Sequence, residues 1–216
     1  MLGSKRMKIR VAKKSPDTYQ HGDLREALVQ AGLKLLSEGG LERLSLRAAA
    51  QLAGVSHAAP YRHYRDKDAL VAAIAERGFR LLSATMRAEL EQDQMLSASE
   101  TVTRLGLGYI AFATQHPAYL QVMFGGALSK ADAPSELLES ATAGYLMLRD
   151  AVVAGMANAE FRKADPDEVA LACWSMVHGV SGLVNNGAFP SDTAAAPRRE
   201  QCARLLRHLG HGIDSP

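Results

Sequence analysis

Apolar positions recur three or four residues apart along most of the 216-residue chain, the period of helices that bury one face. From Asp23, spaced as a cap with Glu26 as its reciprocal partner, Leu24, Ala27, Leu28, Ala31, Leu35 and Leu36 share a face until Gly39 and Gly40 close the helix. Ser45 then caps a short helix over 46–53, in which Leu46, Ala49, Ala50 and Ala53 lie together. Gly54 makes a tight turn, Val55 offers an apolar anchor, and Ser56 caps a second short helix over 57–63. Asp66 caps a long helix from 67 to about 92, with Leu70, Ile74, Leu81 and Leu82 inward.

The remainder reads the same way. A loop over 95–99 precedes a helical pattern through Val102, Leu105, Tyr109, Phe112 and Ala113, and Pro117 restarts the chain as a short helix. A long helix follows over 134–159. Asp165 is a natural cap with Pro166 at the first helical position, and it opens an uncharged helix containing Trp174. Residues 186–197 read as loop, and 199–209 as one last helix. The expectation is an all-α chain with almost no sheet.

Composition agrees: 47% of residues are hydrophobic and 22% charged, which is globular, and Ala and Leu outnumber β-branched runs. The net charge of +2 conceals a division. Residues 1–67 hold 13 basic against 6 acidic side chains, a net of +7, and the rest holds 12 against 17, a net of −5. An anionic partner such as DNA is therefore expected at one end only. The segment 1–16 carries Lys5, Arg6, Lys8, Arg10, Lys13 and Lys14 without an acid, which suits an arm reaching DNA or a solubilising tail. Two cysteines are too few for a disulfide framework and fit a reducing cytoplasm. The uncharged run 169–191 has membrane-spanning length, but His178, Asn185, Asn186 and Pro190 point to a helix buried in protein.

Two short helices joined by a Gly turn form the helix-turn-helix pattern, whose second helix enters the major groove. The segment from Asp23 to Leu70 resembles the DNA-binding domain of the TetR family of bacterial transcriptional regulators. Gly40, Ser45, Ala50, the Ala53-Gly54-Val55-Ser56 run, Tyr61, His63, Lys67 and Leu70 carry the match. Tyr64 replaces the usual Phe, and Pro60 stands where the family has an aliphatic residue; counted from Ser56, the helix is expected to survive that proline. The resemblance implies that Arg47, His57 and Arg62 reach base edges, that Tyr61, His63 and Lys67 bind phosphate, and that Ser56 and Ala58 present backbone N–H groups to one. The alternative for Tyr61 and His63 is a core or capping place in the small domain. The stretch from His116 to Phe124, with Trp174, His178 and Gly179 as a Trp-x-x-x-His-Gly match, resembles one C-terminal subtype of the same family.

These readings divide the chain into a basic arm (1–20), a helix-turn-helix domain (21–68), and a larger helical domain (69–216) for ligand binding and dimerisation. Uncharged helix faces this broad suit burial on two sides, in the domain core and in a homodimer, and the resemblance implies a four-helix dimer interface from the last two helices. Tyr109, Phe112, Met123, Phe124, Tyr145, Trp174, Met176 and His178 are candidates to line a pocket for a small-molecule effector, the alternative being plain core. His178 is the candidate polar handle, or a buried imidazole bonded to a carbonyl. Cys202, His208 and His211 match no zinc spacing, so no metal or other cofactor is expected. No nucleophile and base cluster, phosphate loop or carboxylate pair appears, which speaks against an enzyme. The leading expectation is a ligand-released repressor acting on a double-stranded DNA operator. A ligand-independent architectural DNA-binding protein, and a carrier or enzyme on a helical scaffold, are the rivals.

Overall fold

The computed structural model describes residues 21–91, 95–126, 133–188 and 195–213; the basic arm lies outside them. Eight α-helices and one 3-10 turn run through the described residues, with no strand among them. The first helix, α1 (His21–Arg43), begins before Asp23, so that residue lies inside the helix instead of capping it. Glu26 is used elsewhere: its Oε1 accepts from Gln30 Nε2 at 2.9 Å and its Oε2 from Arg77 at 2.6 Å. Gly39 and Gly40 close the main run of the helix as expected: both leave helical geometry, Gly40 at φ +69, and a short further turn carries the element across the kink to Arg43. Leu28, Ala31, Leu35 and Leu36 form its buried face, as their spacing implied.

Ser45 caps α2 (Leu46–Leu52) by accepting from the Ala48 N–H at 3.1 Å. The small residues Ala49 and Ala50 are wholly buried, which lets α2 lie close against α1. Its end is a Schellman closure. The Val55 N–H donates to the Ala50 carbonyl and the Gly54 N–H to that of Gln51, with Gly54 at φ +71 where a side chain would be strained.

The second helix expected over 57–63 does not form. The chain makes only a 3-10 turn over Ala59–Arg62, and Ser56 is not its side-chain cap. Pro60 is the reason. It has no N–H to give the Ser56 carbonyl, which instead accepts from the Ala59 N–H at 3.0 Å, a tighter three-residue closure. The ring compensates by being buried, standing in for an aliphatic side chain. Beside it Tyr64 is 3% exposed, which settles its ring as packing.

Asp66 accepts from the Ala69 N–H at 2.8 Å and opens α3 (Lys67–Leu90), close to the expected span. This helix packs on α1 at one end of the molecule and on α4 (Ala98–Gln115), α5 (Pro117–Phe124) and α6 (Ser135–Ala157) in the body. Ser97, inside the expected loop, closes a capping box with Glu100, and Glu160 adds a third anchor by accepting from the Ala98 N–H at 2.7 Å. Accepting these bonds holds the Glu100 carboxyl below its ordinary range. Helix α4 is the central strut, buried from Leu105 to Ile110 and packed on every other body helix.

Asp165 caps α7 (Pro166–Asn185) through the Asp167 N–H, as expected. Val169, Cys173, Val177 and Val180 face the core, while Leu171 and Leu183 on the other side are 58% and 50% exposed. The last helix, α8 (Ala195–Ile213), starts within the expected loop and runs past both ends of the 199–209 expectation. Among the described residues no helix is long and apolar enough to cross a membrane.

Candidate nucleic-acid interface and ligand cavity

The first site is the head built from α1, α2, the 3-10 turn and the start of α3. Arg47 stands exposed on α2, and Ser56, His57, Ala58 and Arg62 are exposed along the turn and its approach. Tyr61 is 61% exposed, so the core alternative fails for it. His63 is half-buried. Lys67 is half-buried too, and its Nζ donates to the Leu41 carbonyl at 2.6 Å, tying the kinked end of α1 to α3. An ammonium has three donors, so that bond leaves capacity for an anion. The head is held by local caps and by the Arg77–Glu26 pair, and Tyr64 Oη reaches the Arg25 carbonyl at 3.4 Å. Gln51, one turn beyond Arg47 and likewise exposed, is a surface residue the sequence reading passed over. Its only signal was that four-residue spacing.

Where head meets body an open groove of about 1260 Å³ runs between α1, α3 and α5. Its charges are largely matched: Arg77 pairs with Glu26 at 2.6 Å and Arg80 with Glu76 at 2.7 Å. Burial raises the Tyr119 phenol above its ordinary value on the same wall.

The second site is an aromatic cluster inside the body. Trp174 meets Tyr109 edge to face at 4.9 Å between centroids, Tyr145 at 6.0 Å and Phe124 at 6.5 Å, and Phe124 meets His178 at 5.0 Å. Tyr109 is fully buried, and burial pushes its phenol far above the ordinary tyrosine value. It therefore stays protonated, and its hydroxyl shares a hydrogen bond with His178 Nδ1 at 2.7 Å. The expected partner for a buried His was a carbonyl; the partner here is a phenol.

Five of the eight candidate pocket residues are thus brought together: Tyr109, Phe124, Tyr145, Trp174 and His178. Phe112 and Met123 are placed apart from Trp174. Phe112 stacks with His116 at 5.4 Å, and Met123 Sδ lies where a Cβ on Gly78 would clash. Met176 packs half-buried against the core. Beside Tyr109 and Trp174 lies a small cavity of about 20 Å³. Room for about one water is all that offers. Its other walls include Met86, Leu148, Phe161, Cys173 and Leu206, so any larger guest must move side chains. Burial pushes the Cys173 thiol up to about 11, which keeps it an unreactive apolar wall. Ser83, buried on α3, was also passed over, since a serine in a helical pattern carries no mark of its surroundings. No group of three metal-ligating side chains occurs among the described residues.

Known proteins resemble both halves of the chain. Residues 28–74 match the family of bacterial regulatory proteins named tetR, and residues 102–209, half the chain, match the tetracyclin repressor-like C-terminal domain. No curated protein matches the chain. Among solved structures, a protein of unknown function from Rhodococcus sp. RHA1 is 29% identical, with a TM-score of 0.79 over 92% of this chain and 100% of its own. The TetR family transcriptional regulator PfmR from Thermus thermophilus is 20% identical, with a TM-score of 0.67 over 87% and 99%. A TetR family transcription regulator from Marinobacter aquaeolei VT8 is 16% identical, with a TM-score of 0.70 over 89% and 96%. With an exposed basic head, an all-helical body and both halves matched, the chain belongs to the TetR family of bacterial transcriptional regulators.

Proposed function

We propose that the chain is a homodimeric repressor that leaves its operator when a small molecule enters the body. The observation that carries this reading is the continuity of α3. One unbroken helix has Lys67 at the head and Ser83 and Met86 in the body core, so a shift at its far end must be felt by the head. Arg47, His57 and Arg62 are the proposed base contacts. Tyr61, His63 and Lys67, with the backbone at Ser56 and Ala58, are the proposed phosphate contacts. The 3-10 turn presents these side chains on a shorter element than a full recognition helix, which concentrates them at the turn.

The working division is an arm over 1–20, a DNA-binding head over 21–68 and an effector and dimerisation body over 69–216. Two heads would occupy successive major grooves about 34–36 Å apart on a near-palindromic site. For the dimer, α7 supplies the surface: Leu171 and Leu183 are exposed, and nothing lies within 4 Å of where Cβ atoms on Gly179 and Gly182 would stand. Apolar and small residues on one face allow two copies of a helix to approach closely.

The deciding measurement is binding of the full-length chain to genomic fragments, followed by titration of one selected duplex against salt. A specific site with a steep loss of affinity as salt rises is the expected result. Equal affinity for every duplex would favour the architectural reading instead, and no binding at all would end both.

A further inference from the structure

Three polar side chains are buried among the described residues, all of them serines on helices. Ser140 Oγ donates to the Leu137 carbonyl at 2.9 Å and Ser181 Oγ to that of Val177 at 2.7 Å, so each is satisfied by its own helix. Ser83 is different. It is 7% exposed and its Oγ meets no partner among the described residues. A buried hydroxyl without a partner destabilises a fold relative to an apolar side chain of the same size, so it calls for an explanation.

The surroundings of Ser83 supply one. Gly144 on α6 faces it, and a Cβ there would lie 3.3 Å from Met86 Sδ, 3.6 Å from Ser83 Oγ and 3.6 Å from Trp174 Cη2. The absent methyl group leaves a notch bounded by a hydroxyl, a flexible thioether and the edge of an indole. Met86 and Trp174 also wall the small cavity, so notch and cavity share a boundary that two side chains can open. No charged residue lines that cavity. Its polar groups are the hydroxyls of Ser99, Thr103 and Tyr109, so an ionised guest would lose its hydration there with no counter-charge to offset the loss. The edge-to-face rings around Trp174 favour a flat partner, which needs the least opening.

We propose that Ser83 is the polar anchor of the effector site, and that the effector is a flat, uncharged aromatic or fused-ring compound. Its carbonyl or hydroxyl oxygen hydrogen-bonds Ser83 Oγ while its ring lies against Trp174 in the Gly144 notch. This rests on the reading of the chain as a ligand-responsive regulator.

Trp174 is the single tryptophan, so its fluorescence reports the site without labelling. The probes are acetylnaphthalene, naphthalene and naphthoate: a neutral carbonyl compound, the bare ring and an anion. Acetylnaphthalene should quench Trp174 saturably, with naphthalene about tenfold weaker and naphthoate weaker again. Ser83→Ala should weaken acetylnaphthalene about fivefold to tenfold and leave naphthalene unchanged, with the thermal midpoint equal or higher. Gly144→Ala, whose new methyl makes near-ordinary contacts, should weaken both ring compounds. Equal affinity of wild type and Ser83→Ala for the ketone, tighter binding of naphthoate, or no saturable quenching by the ketone would each overturn the proposal. The two readings separate cleanly. A chain that binds the ketone through Ser83 but no specific duplex keeps the site and loses the regulator; one that leaves its operator only for a charged compound does the reverse.

Discussion

The head and the body place their proposed contact residues on opposite sides of the same physical divide. In the head, Arg47, His57, Tyr61 and Arg62 stand in solvent on a scaffold whose core is made by other residues, Leu28, Ala49, Ala50 and Leu70. In the body, Tyr109, Trp174 and Ser83 are themselves part of the packing. Exposed contacts can be exchanged at little cost to folding, whereas every buried contact serves stability and binding together. Helix α3 belongs to both regions, and it is the element through which the proposed function has a change in one reach the other.

The largest test of that division is Leu28→Ala. Leu28 is fully buried in the head, and its truncation should cost about 2–5 kcal/mol in denaturant unfolding. If the regions unfold separately, far-UV signal will be lost before Trp174 emission shifts. Coincident transitions would instead make head and body one cooperative unit through α3.

Next in size is Arg62→Ala. It should lower affinity for the selected duplex by about 1–3 kcal/mol, with the loss confined to one base position and the thermal midpoint unchanged. A uniform loss across all sequences would move Arg62 to the phosphate contacts. A fall in stability would contradict its exposed placement.

Tyr109→Phe is the corresponding change in the body. Removing the hydroxyl bonded to His178 should cost about 0.5–1.5 kcal/mol of stability and release the imidazole from the tautomer that this bond selects. Nitrogen-15 shifts of the His178 ring would read that release directly. Unchanged shifts would show that the phenol does not set the tautomer.

The smallest effect is expected from Pro60→Ala. The new N–H can bond the Ser56 carbonyl and lengthen the 3-10 turn toward an α-helix, while the more flexible unfolded chain opposes the gain. Stability should stay within about 0.5 kcal/mol, and duplex preference should change because the turn re-aims Arg62. Unaltered preference would mean that the short turn has no part in reading DNA.

Several elements were legible because their causes are local. The caps at Ser45, Asp66 and Asp165 act through N–H groups two or three residues away, so their residue types alone announced the starts of α2, α3 and α7. Asp23 shows the limit of that reasoning: the same spacing lies inside α1, where Glu26 is drawn instead to Arg77, 51 residues distant. Pro60 is a second limit. In a helix only two turns long, one missing N–H falls on the bonds that would have nucleated it.

The aromatic set comes together only in three dimensions, and only part of it meets at Trp174. Helical spacing put Tyr109, Phe112 and Trp174 on inward faces, but it did not distinguish Phe112, stacked with His116, from Tyr109, bonded to His178. Ser83 and Gly144 carried no signal at all. Helix type, most boundaries and the position of the basic head were determined by the sequence itself, because they depend on residues within a turn or two and on the simple division of charge. Which buried residues meet, which hydroxyl lacks a partner and how one long helix joins head to body were decided by tertiary packing, where contact depends on distance in space and residues far apart in the chain fill each other's gaps.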